Sequence, residues 1–251
     1  MKNKNTAENA SSVRINKKQT KMVAHRGLSG IETENSLPSF RRAAGASYFG
    51  IETDVHVTKD GYFVAFHDDS TERMAKDGKN FVIENTELEK LKTVRFNDKS
   101  GLNGENELYI PLLEEYIAVC RDAGKKSVLE LKNRFEEKDI VRLVKLIGKL
   151  GHLSNMIFIS FSDFNCVTLR KLLPDAEIQF LTVNKVDEKL IDFLKKEKLD
   201  LDIEYKRLGE NEIKLLRENG IKVNCWTLDD PDIAEKLAGY GIDYITSNIL
   251  E

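Results

Sequence analysis

The chain has 251 residues, 41% of them hydrophobic and 32% charged, with a formal net charge of -3. That is enough apolar material for the core of one large domain or two small ones. The slight acidity argues against a general nucleic-acid binder, and no apolar run approaches the ~20 residues that span a bilayer.

Residues 1–20 are polar and lysine-containing, with no apolar core of a secretion signal. They are expected to form a flexible N-terminal tail, in which residues 13–15 could pack on the body. From Lys21 onward, short apolar runs alternate with amphipathic stretches. Strands are expected at 22–25, 50–55, 127–131, 156–161, 177–182, 199–204, 222–226 and 244–246. Helices are expected at 37–45, 112–123, 138–150, 164–173, 188–197, 210–219 and 233–238. Gly124, Gly151, Gly220 and Gly241 follow helical patterns, as does Pro174, and Asp163 and Asp230-Pro231 mark helix starts.

Strand–helix alternation implies parallel strands joined by crossover helices. Eight such units give an α/β fold, a (β/α)8 TIM barrel over residues 21–251. An open doubly wound sheet is the alternative, and no glycine-rich loop follows the first strand to support its dinucleotide-binding form. One region breaks the rhythm. Residues 62–67 read as an extra strand after the turn Lys59-Asp60-Gly61, and residues 68–109 form a long polar excursion. It is too long for an ordinary connection, so it is expected to be a small insertion after the second barrel strand, beside the active site.

Catalytic groups of such barrels gather at the C-terminal strand ends, where His25, Asp54, Glu130, Lys132 and Trp226 fall. Glu52 and Asp54 are two apart on one strand and share a face. Two carboxylates there repel unless a cation separates them, and with Glu130 they make an oxygen ligand set suited to Mg²⁺ or Ca²⁺. Lys132 could meet a phosphate or simply pair with Glu130. His25 and His67 end what read as adjacent extended segments and are suited to proton transfer near neutral pH. Arg26 can bind a phosphate oxygen or a neighbouring carboxylate.

His56 shares the parity of Glu52 and Asp54, so it could line the site or face water. His152 falls at the opposite end and carries no expected chemistry. Trp226, the only tryptophan, could wall a ligand's carbon skeleton or pack in the core. The directions of Phe161, Thr182 and Glu204 are open. Cys120, Cys166 and Cys225 fit no zinc or disulfide spacing and are expected to be buried thiols in a reducing cytoplasm.

The ordered set His25-Arg26-Gly27, Glu34-Asn35, Glu52-Thr53-Asp54-Val55, Thr58-Lys59-Asp60-Gly61, His67-Asp68, Glu130-Leu131-Lys132, Trp226-Thr227 and Ile245-Thr246 resembles the glycerophosphodiester phosphodiesterase family. The resemblance implies a TIM barrel with an insertion after His67-Asp68. It also implies His25 and His67 as the acid/base pair, Glu52, Asp54 and Glu130 as metal ligands, and Arg26 and Lys132 as phosphate holders. The implied reaction turns small glycerophosphodiesters into sn-glycerol 3-phosphate and an alcohol, by attack of the neighbouring hydroxyl or of water. Three departures stand out. Thr33 replaces a common proline, so its loop is expected to be less rigid. Ser247-Asn248 follows Ile245-Thr246, where many members have an aspartate. Glu72-Arg73-Met74 replaces an Arg-Thr-Thr run, which bears on substrate preference. Neither of the first two is expected to touch the acid/base pair or the ligands. Two rivals remain: a phospholipase D acting on lysophospholipids, and a silent phosphate-binding barrel.

Overall fold

The computed structural model describes residues 11–104 and 108–251. Eight parallel strands close on themselves: β1 (Lys21–Ala24), β2 (Gly50–Val57), β4 (Lys126–Leu131), β5 (Met156–Ser160), β6 (Glu177–Thr182), β7 (Asp200–Glu204), β8 (Val223–Trp226) and β9 (Tyr244–Ser247). Closure comes from β1 pairing with both β9 and β2. The expected strands are all present, and the open-sheet alternative is excluded because no barrel edge is left free.

Period-two alternation builds two layers from each strand. Outward residues such as Ile51, Leu129, Phe158, Leu201, Ile203 and Val223 belong to the main core between sheet and helices. Inward residues Val23, Val128, Ile157, Ile159, Leu181 and Tyr244 form a separate apolar cluster inside the barrel. The polar inward residues Glu52, Asp54, Glu130, Gln179, Asp202, Asn224 and Thr246 are buried with them.

The outer ring consists of α1 (Leu37–Ala44), α3 (Leu113–Asp122), α4 (Glu137–Lys149), α5 (Asp163–Leu172), α6 (Glu188–Glu197), α7 (Glu210–Glu218) and α8 (Pro231–Gly239), with a one-turn α2 (Leu88–Leu91) in the insertion. Their starts are fixed by side-chain acceptors for free backbone N–H groups. Ser36, Ser162, Asp187 and Asp230 each accept from a backbone N–H in the first turn of their helix. Asp163 is thus the first helical residue, with Ser162 as its cap. Glu115 and Glu212 reach back to the amides of Leu112 and Gly209.

The excursion is less polar inside than its composition suggests. Val64, Phe66, Ile83, Leu91, Phe96 and Ile110 form its own buried cluster. Its apolar residues are scattered at no fixed period, so the sequence showed only the polar surface. The short β3 (Phe63–Ala65) that leads into it runs antiparallel to β2. Residues 105–107 of the insertion and 1–10 of the expected tail lie outside the described residues. Val13 and Ile15 hydrogen-bond to Ile249 and Glu251, and Glu251 in turn to Val13, so residues 13–15 lie along the chain end.

Phe158 is wholly buried between sheet and helices. Phe158→Ala should cost about 3–5 kcal/mol in urea unfolding, the range for an aromatic deleted from a close-packed core.

Candidate active site

The site begins with a backbone constraint. After β1 the chain turns through Arg26 (φ 54°) and Gly27 (φ 75°). At Gly27 a Cβ would lie 2.6 Å from the backbone carbon of Ser39, so only glycine fits. The Arg26 amide donates to Glu52 Oε2 at 2.7 Å, and the Arg26 carbonyl accepts from Asn35 N and Ser39 Oγ. The motifs at 25–27 and 34–36 therefore fold as one unit. Asn35 Nδ2 donates to Asp54 Oδ2 at 2.8 Å, Thr53 Oγ1 donates to Asn35 Oδ1, and Ser36 caps α1.

Glu52 and Asp54 face the barrel interior from β2, and Asp54 is in register with Glu130 on β4. One oxygen from each of Glu52, Asp54 and Glu130 lies within 4.8 Å of the others, and all three residues are buried. Two cations compensate only part of this charge. Lys132 Nζ is 2.8 Å from Glu130 Oε1 and 3.5 Å from Asp54 Oδ1, and Arg26 Nε is 3.4 Å from Asp54 Oδ2. Burial and the charge of Asp54 push Glu52 well above the usual carboxylate range and Glu130 up to about 7. Burial opposes ionisation of Asp54 too, but Lys132 and Arg26 hold it low. A buried, charge-crowded oxygen set of this kind fits a divalent cation.

His25 follows the inward parity of Val23. Its Nδ1 is 2.8 Å from Asn248 Oδ1. Asn248 Nδ2 donates to Asp229 Oδ2 at 2.6 Å, and Ser29 Oγ donates to Asn248 Oδ1. The amide is thereby oriented with its oxygen on His25, so Nδ1 carries the proton and the Nε2 lone pair is free. Burial, reinforced by Arg26, lowers His25 to about 4. The change at Ser247-Asn248, expected not to touch the acid/base pair, thus reaches His25 through Asn248.

His67 arrives by a different route. β1 and β4 lie on opposite edges of the start of β2, and β3 takes the β1-side edge further along, at Val55–Val57. The segments ending in His25 and His67 are therefore not paired neighbours; they share one edge of β2, and the hairpin returns His67 to the mouth. His67 Nδ1 is 2.6 Å from Asp68 Oδ1. Arg73 donates to both Asp68 oxygens and makes a two-point contact with Glu34, which also accepts from Arg26. Burial lowers the His67 pKa, against Asp54 and Asp68.

His25, Arg26, His67, Lys132 and Trp226 line one cavity of about 90 Å³ together with Glu52 and Glu130. Trp226 packs edge-on against Phe161 with centroids 5.6 Å apart, and Ile159 and Leu181 continue this apolar wall. His56 does neither of the things open to it. It is wholly buried behind the site, between Glu84 of the insertion and the carbonyl of His67. His152 binds Ser127 Oγ, the residue in register with the first residue of β5 and so at the opposite end of the barrel. Glu204 pairs with Lys206 and Arg207, and Thr182 Oγ1 accepts from Asn184 N.

Thr33 is also tied down, against expectation: its Oγ1 donates to Asn97 O and accepts from Lys99 N. Glu34, Arg73, Asn248 and Asp229 are the residues whose roles sequence reasoning missed. The first three lie in or next to quoted motifs; Asp229 carries no signal, because its partner is 19 residues away.

Exchanging the polar partner of His25 should be visible by NMR titration. In Asp229→Asn/Asn248→Asp the contacts are preserved but a carboxylate faces Nδ1. The His25 pKa should rise by roughly 1–3 units, the effect of an adjacent opposite charge. An unchanged value would mean that Asn248 does not govern this imidazole.

Comparison with known proteins agrees with this geometry. Residues 25–250 match the model of the glycerophosphoryl diester phosphodiesterase family. A glycerophosphodiester phosphodiesterase of Caldanaerobacter subterraneus subsp. tengcongensis is 29% identical over 236 residues, covering 92% of this chain and 94% of that protein. A phosphodiesterase of Oleispira antarctica, solved with the product sn-glycerol-3-phosphate, is 27% identical with a TM-score of 0.83 over 92% of this chain and 93% of that one. A glycerophosphodiester phosphodiesterase structure from Parabacteroides distasonis is 25% identical, with a TM-score of 0.76 over 95% and 94%. With its closed barrel, acidic triad and paired histidines at one mouth, the chain belongs to the glycerophosphoryl diester phosphodiesterase family, hydrolases of glycerophosphodiesters.

Proposed function

We propose that this chain hydrolyses small glycerophosphodiesters to sn-glycerol 3-phosphate and an alcohol, with His25 as general base and His67 as general acid. The observation that carries the reading is one cavity that gathers two histidines, Arg26, Lys132, Glu52 and Glu130, with Asp54 completing the carboxylate triad behind it. Arg26 and Lys132 would hold the phosphate oxygens. Glu52, Asp54 and Glu130 would hold one Mg²⁺ or Ca²⁺, which when bound neutralises charge building on the phosphoryl group.

The two histidines are not equivalent. His25 faces a neutral amide and is held neutral, with Nε2 free to take a proton from the attacking hydroxyl. His67 faces the Asp68 carboxylate, which partly offsets the lowering of its pKa by burial, so of the two imidazoles it is the better suited to carry the proton that the leaving alkoxide takes. Arg73 keeps Asp68 aimed at His67. The vicinal hydroxyl of glycerol is the nucleophile that fits a base poised beside the phosphate, through a cyclic phosphate. The wall of Trp226, Phe161, Ile159 and Leu181 is a short one, suited to a three-carbon skeleton. Among the described residues no helix is long and apolar enough to cross a membrane. Three buried free thiols suit a reducing cytoplasm.

Offered glycerophosphodiesters and lysophospholipids side by side, the protein should release sn-glycerol 3-phosphate, seen by phosphorus NMR. Dominant lysophosphatidic acid would move it to the phospholipase D reading, and no turnover at all to a silent barrel. His25→Ala and His67→Ala should each lower kcat by roughly 10²–10⁴-fold on a glycerophosphodiester with an alkyl leaving group. A nitrophenol leaving group needs no protonation, so it should rescue His67→Ala and not His25→Ala. The reverse pattern would exchange the two roles.

Metal binding should compete with protons on Glu52 and Glu130. Calorimetry in buffers of different ionisation enthalpy should show proton release on Mg²⁺ or Ca²⁺ binding, with affinity rising as pH climbs through about 7. A chelator should abolish turnover, and Asp54→Asn should weaken binding of the ion without unfolding the barrel. Full activity in chelator would remove the ion from the mechanism.

A further inference from the structure

Asp202 is a buried carboxyl of the barrel interior that the machinery above does not use. Asp202 points inward from β7, since Leu201 and Ile203 on either side belong to the outer core, and it is 1% exposed. The polar residues of its layer satisfy one another instead. Asn224, in register with Asp202 on β8, donates to Gln179 Oε1 at 3.1 Å and accepts from Thr246 Oγ1 at 3.2 Å. Asp202 Oδ1 is fully enclosed and has no hydrogen-bond partner. Arg26 and Lys132 pair with Glu34, Asp54 and Glu130 and not with it. It is also outside the convergent set Glu52, Asp54 and Glu130. A buried carboxyl oxygen without a partner is unfavourable in either protonation state.

Asp202 lines the catalytic cavity, and so does Trp226, whose Nε1 is likewise enclosed and without a hydrogen-bond partner. The wall around them is apolar, from Ile159, Leu181 and Phe161. An unmatched acceptor and an unmatched donor on an apolar wall are both satisfied by a hydroxyl on a carbon skeleton. A phosphate oxygen is matched by the cations Arg26 and Lys132 and needs no acidic carboxyl, and an alkyl group would leave both orphans unpaired.

We propose that Asp202 binds the terminal hydroxyl of the retained glycerol arm, with Trp226 Nε1–H as a second partner, and so selects glycerol on that side of the phosphate. This deepens the proposed function and rests on it. A site built to pair with a substrate hydroxyl rejects the analogue that lacks it, because its own groups are then stranded.

The test compares a glycerophosphodiester with the matching propane-1,2-diol diester, which keeps the vicinal hydroxyl and lacks the terminal one. Wild type should prefer the glycerol substrate by roughly 10²-fold or more in kcat/KM. Asp202→Ala should collapse that ratio to within about threefold, and Asp202→Asn, which keeps a hydrogen-bonding group of the same shape, should retain part of it. Calorimetry in the presence of Mg²⁺ should show the same order for sn-glycerol 3-phosphate against propanediol phosphate. A wild-type ratio near one, in an active enzyme, overturns this inference alone. Equal losses on both substrates in both variants, or a loss of Mg²⁺ affinity in Asp202→Asn, overturn it by giving the carboxyl a structural or ion-binding part. A wild type that turns over no diester overturns the underlying reading as well.

Discussion

The structure turns on three carboxylates forced together inside a barrel. Coulomb repulsion among Glu52, Asp54 and Glu130 is tolerated because Arg26 and Lys132 lean on Asp54 and because two of the three sites resist ionisation. That arrangement is unstable toward one kind of partner, a small divalent cation, and toward protons when no cation is bound. The left-handed turn at Arg26-Gly27 serves this cluster, since it delivers the Arg26 amide to Glu52 and the guanidinium to Asp54 from a single residue. Asn35 closes the set from the other side by donating to Asp54.

Around the cluster, two histidines are held by unlike supports. His25 is fixed by the chain end, through Asn248 and Asp229, while His67 is fixed by the insertion, through Asp68 and Arg73. The supports differ in charge, a neutral amide for His25 and a carboxylate for His67. Arg73 also ties Asp68 to Glu34, so the insertion and the loop after β1 are joined by ion pairs across the mouth. His56 adds a buried strut between Glu84 and the backbone of His67. The insertion thus mounts His67, in addition to any part in substrate choice.

The barrel interior is graded along its axis. Tyr244, Phe49 and the Lys21 cation above their rings are gathered by β1 and β9, at the ends where those strands begin. The mouth is polar and crowded with charge, with an apolar patch around Trp226 on one side only. A ligand with a charged head and a short hydroxylated skeleton matches that division, head toward Arg26 and Lys132 and skeleton toward the indole.

Much of this was legible in the chain itself. Strand alternation at period two and helical runs ending in glycine set the barrel, because both depend on local periodicity and backbone freedom. Glu52 and Asp54 two apart, and Glu130 and Lys132 two apart, placed all four on inward faces of strand ends. Local patterns could not show what chain-distant contacts decide. Asn248 orients His25 across 223 residues, and Asp229 in turn orients Asn248. The apolar core of the insertion has no period to betray it, and the return of His67 along the β2 edge depends on a hairpin pairing. Asp202 reads as one more acid in a charged stretch until closure of the barrel turns it inward and leaves its Oδ1 without a hydrogen-bond partner. The sequence by itself determined the repeating βα frame and the residue types at its mouth, because those follow from short-range order. Protonation, tautomer and the pairing of buried polar groups were decided only by tertiary structure, because they depend on which groups far apart in the chain come within hydrogen-bond distance.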